Sequence, residues 1–386
     1  MLKAKVGSSI APDAITAGKE AASKAALDGA QLALVFSSCA YDQAALLSGV
    51  KAVLPGASTL GCTSYTGVLT PEGFITGPDG YVAVMAMKDE DMKIGAAGKA
   101  KAGSARETGK AAAKEAMANA GKKSAPAFFY MIAPPGEEES YLKGVEDVIG
   151  RVPFFGGSAA DNSLEGKWKV LFGNSAMGDG VALAFFYTDK PVASYYGGEY
   201  EETPDYGVIT KLRGKRTIVE IDGVPALKKY ASLRGVDPDS LKGFALLGDS
   251  ICHPLGIKDR LGDLTAIRHP MVGNDDYSMN LGSDLAEKTT VLFMKGDPDG
   301  LIASAGSGVG KVRQRLGSVP GAYVLVHCGG RRGGIGDRMD EAHRSIKAAA
   351  GNVPFIGVFT FGEYGYEDQG CNTCGGLMLS YAAFSA

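Results

Sequence analysis

The sequence predicts an α/β protein of two domains, built from repeated βαβ units with mixed, largely parallel sheets. Three segments of the 386-residue chain share one pattern: apolar strand, Gly/Pro/Ser turn, amphipathic helix, proline, second strand, Gly-rich turn. A helix that joins two strands in this way makes the strands parallel. The acidic, proline-containing segment 199–207 is the best candidate for a boundary, so the predicted domains are residues 1–207 and 208–386.

Each predicted unit begins with an apolar strand and ends in a glycine-rich turn. The first unit has its strand at 32–36, its turn at 37–42, its helix at 43–54 and its second strand and turn at 58–67. The second unit occupies, in the same order, 127–132, 133–138, 139–150 and 154–162. The third occupies 323–327, 328–334, 338–350 and 355–365. Strands 32–36 and 59–63 are therefore predicted to be parallel neighbours, joined by a right-handed crossover.

Segments between the units also have strand or helix character. Helices are predicted at Glu20–Leu27, Gly103–Ala120 and Asp222–Leu233. Strands are predicted at 80–87, 180–187, 191–198, 217–223, 262–270 and 290–296. The 55 glycines are roughly twice the usual share, which indicates many tight turns or close approaches of the backbone.

Composition excludes several classes of protein. The net charge is −3 and no long basic run exists, so nucleic acid is not an expected partner. The longest apolar stretches, such as 181–187, are far shorter than the roughly 18 residues of a membrane span. Polar Ser8, Ser9 and Asp13 stand where a signal peptide needs an apolar block. With six scattered cysteines, the chain is expected to be cytoplasmic with reduced thiols.

Two motifs resemble nucleotide or metal sites only in part. The stretch 306-GSGVGKV-312 has Ala305 where a phosphate loop needs its first glycine and Val312 where it needs Ser or Thr. The pair Cys371 and Cys374 forms a lone CxxC, whereas a structural zinc site needs four ligands. No metal is therefore predicted, although a redox or metal role for this CxxC stays open.

Histidines and thiols leave two alternatives open. Haem ligation by His253, His269 or His327 is one alternative to a protein without a cofactor. A thiol-dependent enzyme is the other, because Cys62 and Cys328 both lie at predicted strand ends. No base is identifiable near either thiol, so the chain is more simply interpreted as a binding protein than as an enzyme.

Residues at the ends of the predicted strands form the candidate binding site, because open parallel sheets bind ligands at the carboxyl ends of their strands. Arg331, followed by Arg332, is suited to a ligand carboxylate, and Asp161 or Glu363 to an ammonium, which together would suit a zwitterion such as an amino acid. The alternative is a structural ion pair between Arg331 and Glu363. The candidate ligand-binding residues are Cys62, Thr63, Ser64, Gly67, Gly157, Asp161, Asn162, Cys328, Gly330, Arg331, Gly362 and Glu363.

The same turns, in this order, resemble the FIST family. The resemblance to its N-terminal domain depends on 61-GCTSYTG-67 and 156-GGSAADN-162. The resemblance to its C-terminal domain depends on 209–230, 253-HPLGI-257, 328-CGGR-331 and 354-PFIGVFTFGEYG-365, so that nearly the whole chain is covered. The chain departs from the late Asn-x-Thr pattern of the family, since Thr373 and Cys374 follow Asn372.

This resemblance implies a signal-transduction input module that binds small ligands such as amino acids in a cleft. Relatives often stand beside kinase or chemotaxis output domains, and some are haem-binding nitric-oxide sensors. Because the two FIST domains account for the chain, we expect a stand-alone, bacterial-type sensor that works with a separate output protein. The resemblance also assigns residues 1–207 to the N-terminal and 208–386 to the C-terminal FIST domain.

Overall fold

A computed structural model describes residues 1–258, 264–366 and 371–386, which form three repeats and one inserted module. In the first repeat, Asp13 and Asp42 cap the two helices by accepting hydrogen bonds from backbone N–H groups of the first turn. Its elements are β1 (Lys3–Ser9), α1 (Ala14–Lys24), β2 (Leu32–Ser37), α2 (Gln43–Val53), β3 (Ser58–Thr63), β4 (Val68–Thr70), β5 (Gly73–Ile75) and β6 (Val82–Lys88).

The second repeat has the same order of elements. Ser104 caps its first helix, and its central strand, Phe128–Ala133, is buried along its whole length. The elements are β7 (Lys93–Ala100), α3 (Ala105–Asn119), β8 (Phe128–Ala133), α4 (Glu138–Ile149), β9 (Phe154–Ser158), β10 (Val170–Phe172), β11 (Ser175–Met177) and β12 (Gly180–Tyr187).

The third repeat begins with β13 (Val192–Gly197) and is then interrupted by residues 201–295, which we call the inserted module. A short 3-10 helix, Pro238–Leu241, lies within it. The module contains β14 (Glu201–Arg213), β15 (Thr217–Ile221), β16 (Val224–Pro225), α5 (Ala226–Arg234), α6 (Ala245–Ser250), β17 (Leu255–Lys258), β18 (Thr265–Arg268), β19 (Pro270–Gly273), β20 (Met279–Leu281) and β21 (Thr290–Lys295).

After the inserted module the third repeat is completed. The stretch 306–312 lies inside its first helix, so it is not a phosphate loop. The elements are α7 (Pro298–Leu316), β22 (Pro320–Cys328), α8 (Gly329–Ile335), α9 (Met339–Ala350), β23 (Phe355–Thr360), β24 (Glu363–Gly365), β25 (Thr373–Gly375) and β26 (Leu379–Ser385).

The parallel pairs predicted from the sequence are confirmed. Strands β2 and β3, β8 and β9, and β22 and β23 are each parallel neighbours. In every repeat an antiparallel strand from the end of the repeat lies on the other side of this pair. The predicted strand 262–270 corresponds to Thr265–Arg268, and its residues 262 and 263 lie outside the described parts of the chain.

The hairpin of each repeat completes the sheet of another repeat. Strand β10 of the second repeat pairs with β3 of the first, β24 of the third pairs with β9 of the second, and β4 of the first pairs with β23 of the third. The three sheets are therefore linked in a ring by exchanged hairpins.

Alternation along the strands places one apolar core between the three sheets and separate cores beneath the helices. In β2, for example, Leu34 faces the central core, which also receives Tyr130 from the second sheet and Val324 from the third. On the other face of β2, Val35 packs beneath α1 and α2. The inserted module has a core of its own.

Glycines allow the two helices of a repeat to touch. A Cβ atom on Gly109 of α3 would lie 2.3 Å from the carbonyl oxygen of Tyr141, and one on Gly144 of α4 would lie 2.0 Å from that of Arg106. The expectation of close backbone approaches is therefore met inside helices as well as in turns.

The division of the chain into residues 1–207 and 208–386 stays a prediction. Residues 201–207, taken as acidic boundary sequence, form the first half of β14, and this strand continues without a break to Arg213.

Candidate functional site

The carboxyl ends of the three parallel pairs meet in one place. We call this place the hub and define it as residues 62–67, 157–162, 328–331 and 360–363. Backbone hydrogen bonds join all three sheets there: Ala160 N–H to Thr63 O (2.9 Å), Tyr65 N–H to Phe359 O (2.9 Å) and Ser158 N–H to Gly362 O (2.8 Å). The four turns predicted to lie together are thus brought together, whereas their binding of a ligand stays a prediction.

Most of the small residues in the hub hold the turns together. The Ser64 hydroxyl donates to the carbonyl oxygen of Gly67 (2.6 Å) and accepts from the N–H of Phe359 (2.9 Å). Thr63 Oγ1 accepts from a backbone N–H (2.8 Å). A Cβ on Gly157 would lie 2.8 Å from the carbonyl oxygen of Gly362, which shows how closely these two turns pack.

Asp161 organises its own loop. Its Oδ1 accepts from the N–H groups of Ser163 (3.1 Å) and Leu164 (2.6 Å), and its Oδ2 from that of Lys167 (2.7 Å). Asn162 Oδ1 accepts from the N–H of Thr66 (2.9 Å), which ties this loop to the first repeat. The carboxylate of Asp161 is fully buried, so it does not present the free anionic site expected for a ligand ammonium.

Arg331 points away from the hub surface, which corrects both interpretations made from the sequence. Its side chain is fully buried, and its Nη1 donates to the carbonyl oxygen of Gly198 (2.6 Å). Its Nη2 donates to the carbonyl oxygen of Leu301 and to Ser304 Oγ. Within the described residues it forms no ion pair with Glu363, and its guanidinium is engaged by the protein rather than offered to a carboxylate. Arg332 likewise donates to a backbone carbonyl (2.9 Å).

Glu363 is a buried carboxyl group without a cationic partner among the described residues. Its Oε1 accepts from Thr360 Oγ1 (2.8 Å) and its Oε2 from the N–H of Met378 (3.0 Å). Burial raises the pKa of Glu363 to about 8. At neutral pH the group is therefore mostly protonated, which differs from the anion expected for binding an ammonium.

The two thiols singled out at strand ends lie in different surroundings. Cys62 faces the central core, and burial raises the pKa of its thiol. Cys328 lies in the hub, where its Sγ accepts from the N–H groups of Gly330 (3.3 Å) and Leu377 (3.2 Å). Burial also raises the pKa of the Cys328 thiol, so neither group is prepared to act as a thiolate nucleophile.

A partly open space lies between the hub and the inserted module, and we call it the hub cavity. Its volume is about 100 Å³, and its wall is mostly apolar. Turn residues contribute one side, and α6, β19 and the segment around Gly282 of the inserted module contribute the other. The lining residues are Tyr65, Leu164, Leu247, Ile251, His269, Met271, Gly282, Cys328, Gly329, Gly330, Gly333, Phe361 and Gly376.

Only two of these residues, Cys328 and Gly330, are among the ligand-binding residues predicted from the sequence. Tyr65 and Phe361 lie inside the same motifs and their rings are in contact, with centroids 5.8 Å apart. Their apolar rings lack the polar and charged groups on which the predicted site was based. Met271 has no signal in the sequence, since only the fold places the inserted module over the hub.

Haem does not fit this site. Pockets that bind drug-sized molecules have volumes of roughly 300–1,000 Å³, which is several times the volume of the hub cavity. Of the three proposed ligands only His269 lines it, and its Nε2 lies 3.2 Å from a backbone carbonyl oxygen. His253 and His327 do not line the cavity. Burial lowers the pKa of His269 to about 4 and that of His327 to about 3.

The described parts of the chain contain no disulfide and no cluster of metal ligands. All six cysteines lie in these parts and none forms a disulfide. Cys371 is exposed and Cys374 is buried. Among the described residues, no group of three or more His, Cys, Asp or Glu side chains could hold a metal ion. Nor does any described helix have the length and apolar composition to cross a membrane.

The described elements define an α/β protein built from three repeats and one inserted module. The model of the FIST N domain matches residues 31–224, and that of the FIST C domain matches residues 226–366. The chain belongs to the FIST family, whose domains are sensory domains of signal transduction.

Other similarities are distant. An uncharacterised protein of Methanocaldococcus jannaschii, MJ1623, is 27% identical over 171 residues, which span 41% of this chain and 33% of that relative. Among solved structures, a cyanuric acid hydrolase from A. caulinodans covers 100% of both chains at 10% identity, with a TM-score of 0.39. Phosphoribosylformylglycinamidine synthase II from Thermotoga maritima covers 99% of this chain and 72% of its own, at 12% identity and a TM-score of 0.24. Neither structural likeness carries an argument about function.

Proposed function

We propose that this protein is a sensor that binds a small molecule in the hub cavity and passes the signal to a separate output protein. The observation that carries the proposal is that the cavity lies at the carboxyl ends of parallel strands and is covered on one side by the inserted module. A ligand there would contact both parts of the molecule, so binding would favour one arrangement of the two. The unpaired cysteines are consistent with a cytoplasmic location in this proposal.

The lining and the volume restrict the ligand. Aromatic and aliphatic side chains such as Tyr65, Ile251, Met271 and Phe361 supply most of the wall. A cavity of about 150 Å³ holds a benzene-sized molecule, so the hub cavity, at about 100 Å³, suits about four heavy atoms. The ligand class is therefore a small apolar molecule, or an amino acid whose apolar side chain enters the cavity while its charged ends stay at the open side.

Titration calorimetry with apolar L-amino acids and with short branched alcohols of similar size tests this proposal. The matched variants are Gly333→Leu and Gly310→Leu. A Cβ on Gly333 lies 3.8 Å from Ile251 of the cavity wall, so the leucine would fill the cavity without a backbone clash. Gly310 is exposed on α7, with nothing within 4 Å of its Cβ position.

We expect Gly333→Leu to weaken binding at least tenfold, which is about 1.4 kcal/mol, and Gly310→Leu to leave it unchanged. Amino acids that bind while the alcohols do not would support the zwitterion, whereas the reverse would support an apolar ligand. Equal affinity of the two variants would place the ligand outside the hub cavity and contradict the proposal.

A further inference from the structure

The chain enters and leaves the inserted module at one edge, and Ile267 and Met294 of the module also pack in one apolar cluster with Cys328 and Leu377. The chain enters it through residues 198–200 and leaves it through residues 296–297, two short connections between β13 and β14 and between β21 and α7. The connections lie side by side, because Glu201 at the start of β14 pairs with Lys295 at the end of β21. Two adjacent short connections are the arrangement that permits hinge rotation of one part on another.

Arg331 braces this hinge from the hub. Its Nη1 donates to the carbonyl oxygen of Gly198 in the first connection (2.6 Å), and its guanidinium lies over the ring of Tyr200, 5.8 Å from the centroid. The Tyr200 hydroxyl in turn donates to the carbonyl oxygen of Ile251 (2.9 Å), a residue of the cavity wall. The turn that lines the cavity is thus connected to the hinge through one buried side chain.

Ion pairs hold the inserted module at another place. Arg216 of the module reaches the N-terminus of α4, where its Nη2 lies 3.2 Å from Glu138 and 2.5 Å from Glu139. The N–H of Asp284 donates to Glu139 Oε1 (3.0 Å). Arg216 Nη1 also donates to the carbonyl oxygen of Gly282, which lines the hub cavity (3.0 Å).

The charged groups of this contact pair with one another, and they are Lys215, Arg216, Glu138, Glu139 and Asp284. Asp284 accepts from Arg216 Nε (3.0 Å) and pairs with Lys215 (3.1 Å), which is itself mostly exposed. Glu138 is buried, and burial raises the pKa of its carboxyl. Removal of Arg216 leaves the carboxyl groups of Glu138 and Glu139 without their cation, and such a loss weakens a contact strongly.

We propose that the inserted module is a hinged lid on the hub cavity, with Arg331 bracing its hinge and Arg216 latching it onto Glu138 and Glu139. This inference rests on the proposed function in one respect, because the lid controls entry to the proposed ligand site. Opening the lid uncovers Cys328, which lines the cavity and is 3% exposed in the closed arrangement.

The test is the rate at which N-ethylmaleimide alkylates Cys328, followed peptide by peptide with mass spectrometry. The variants are Arg216→Gln, which removes the latch, and Lys215→Gln, which removes the neighbouring exposed charge. We expect alkylation of Cys328 to be about tenfold faster or more in Arg216→Gln, and unchanged within about twofold in Lys215→Gln.

Cys62 in the central core is an internal control for global unfolding. An unchanged rate of Cys328 alkylation in Arg216→Gln would contradict the proposed lid. An equal rise in the rate of Cys62 alkylation would contradict it too. Should Arg216→Gln fail to fold, Glu139→Gln keeps Arg216 paired with Glu138 and Asp284, and a rise confined to Cys328 is still expected. The assay needs no ligand, so its failure is distinct from a failure of the cavity to bind one.

Discussion

Glu363 makes the stability of the protein depend on pH in the direction opposite to that of most carboxyl groups. Its pKa rises from 4.5 to about 8 on folding because the group is buried. The folded state therefore binds the proton more tightly than the unfolded chain does. The stability that the protonated group contributes is fully present below about pH 4.5 and is lost as the pH rises through about 8.

The expected magnitude follows from these two values. The unfolded chain has already released this proton at pH 6, whereas the folded protein keeps it until the pH approaches about 8. Each tenfold change in the equilibrium corresponds to about 1.4 kcal/mol, so the free energy of unfolding falls by about 2 kcal/mol over this interval.

Urea unfolding at pH 6 and pH 8 measures the effect, with Trp168 fluorescence as the signal, since its ring packs edge-on against Phe361 of the hub. Glu363→Gln cannot ionise, so its stability should lack the fall of about 2 kcal/mol that the wild type shows. Glu341→Gln is the control, because Glu341 is half-exposed on α9 and its hydrogen bond with Arg338 lowers its pKa. Parallel pH dependence of the wild type and Glu363→Gln would refute the reasoning.

Three further substitutions are each to be measured by urea unfolding. Gly109→Ala forces a Cβ to within 2.3 Å of a backbone oxygen and should lower the free energy of unfolding by roughly 1–3 kcal/mol. Gly310→Ala is the control, because open space surrounds Gly310, and it should be neutral or stabilise the protein. Equal effects of the two substitutions would contradict the close packing of α3 on α4. Asp161→Ala leaves three backbone N–H groups without their acceptor and should cost roughly 2–4 kcal/mol, and a loss below about 1 kcal/mol would show that its loop is held by other contacts. Arg331→Met removes a buried guanidinium from its acceptors and should cost roughly 3 kcal/mol, so an unchanged stability would exclude it as a brace.

The parallel strand pairs could be predicted because their signal is local. An apolar run, a turn, a helix and a second run follow one another within about 35 residues, and such a unit closes on itself. The exchange of hairpins could not be predicted. Strand β4 has only three residues, and its partner β23 lies near the other end of the chain, so no local pattern records the pairing.

The meeting of the four turns could be predicted, whereas the environment of their side chains could not. The four turns do lie together, because the carboxyl ends of parallel strands share an edge. Charge was a poor guide to which side chains face the cavity. Arg331 lies within α8, where successive side chains point about 100° apart, so it turns into the protein while Gly330 beside it lines the cavity.

The ring of exchanged hairpins sets an order of events during synthesis. Hairpin β4–β5 leaves the ribosome early, but its partner β23 is among the last strands to appear. At about 5–20 residues per second, the roughly 280 residues between them take about 15–60 s to make. During that interval the apolar side chains of Val68 and Leu69, buried in the finished protein, have no sheet to join. The nascent chain is therefore most in need of chaperone protection over its first repeat, and that need ends only when the third repeat is complete.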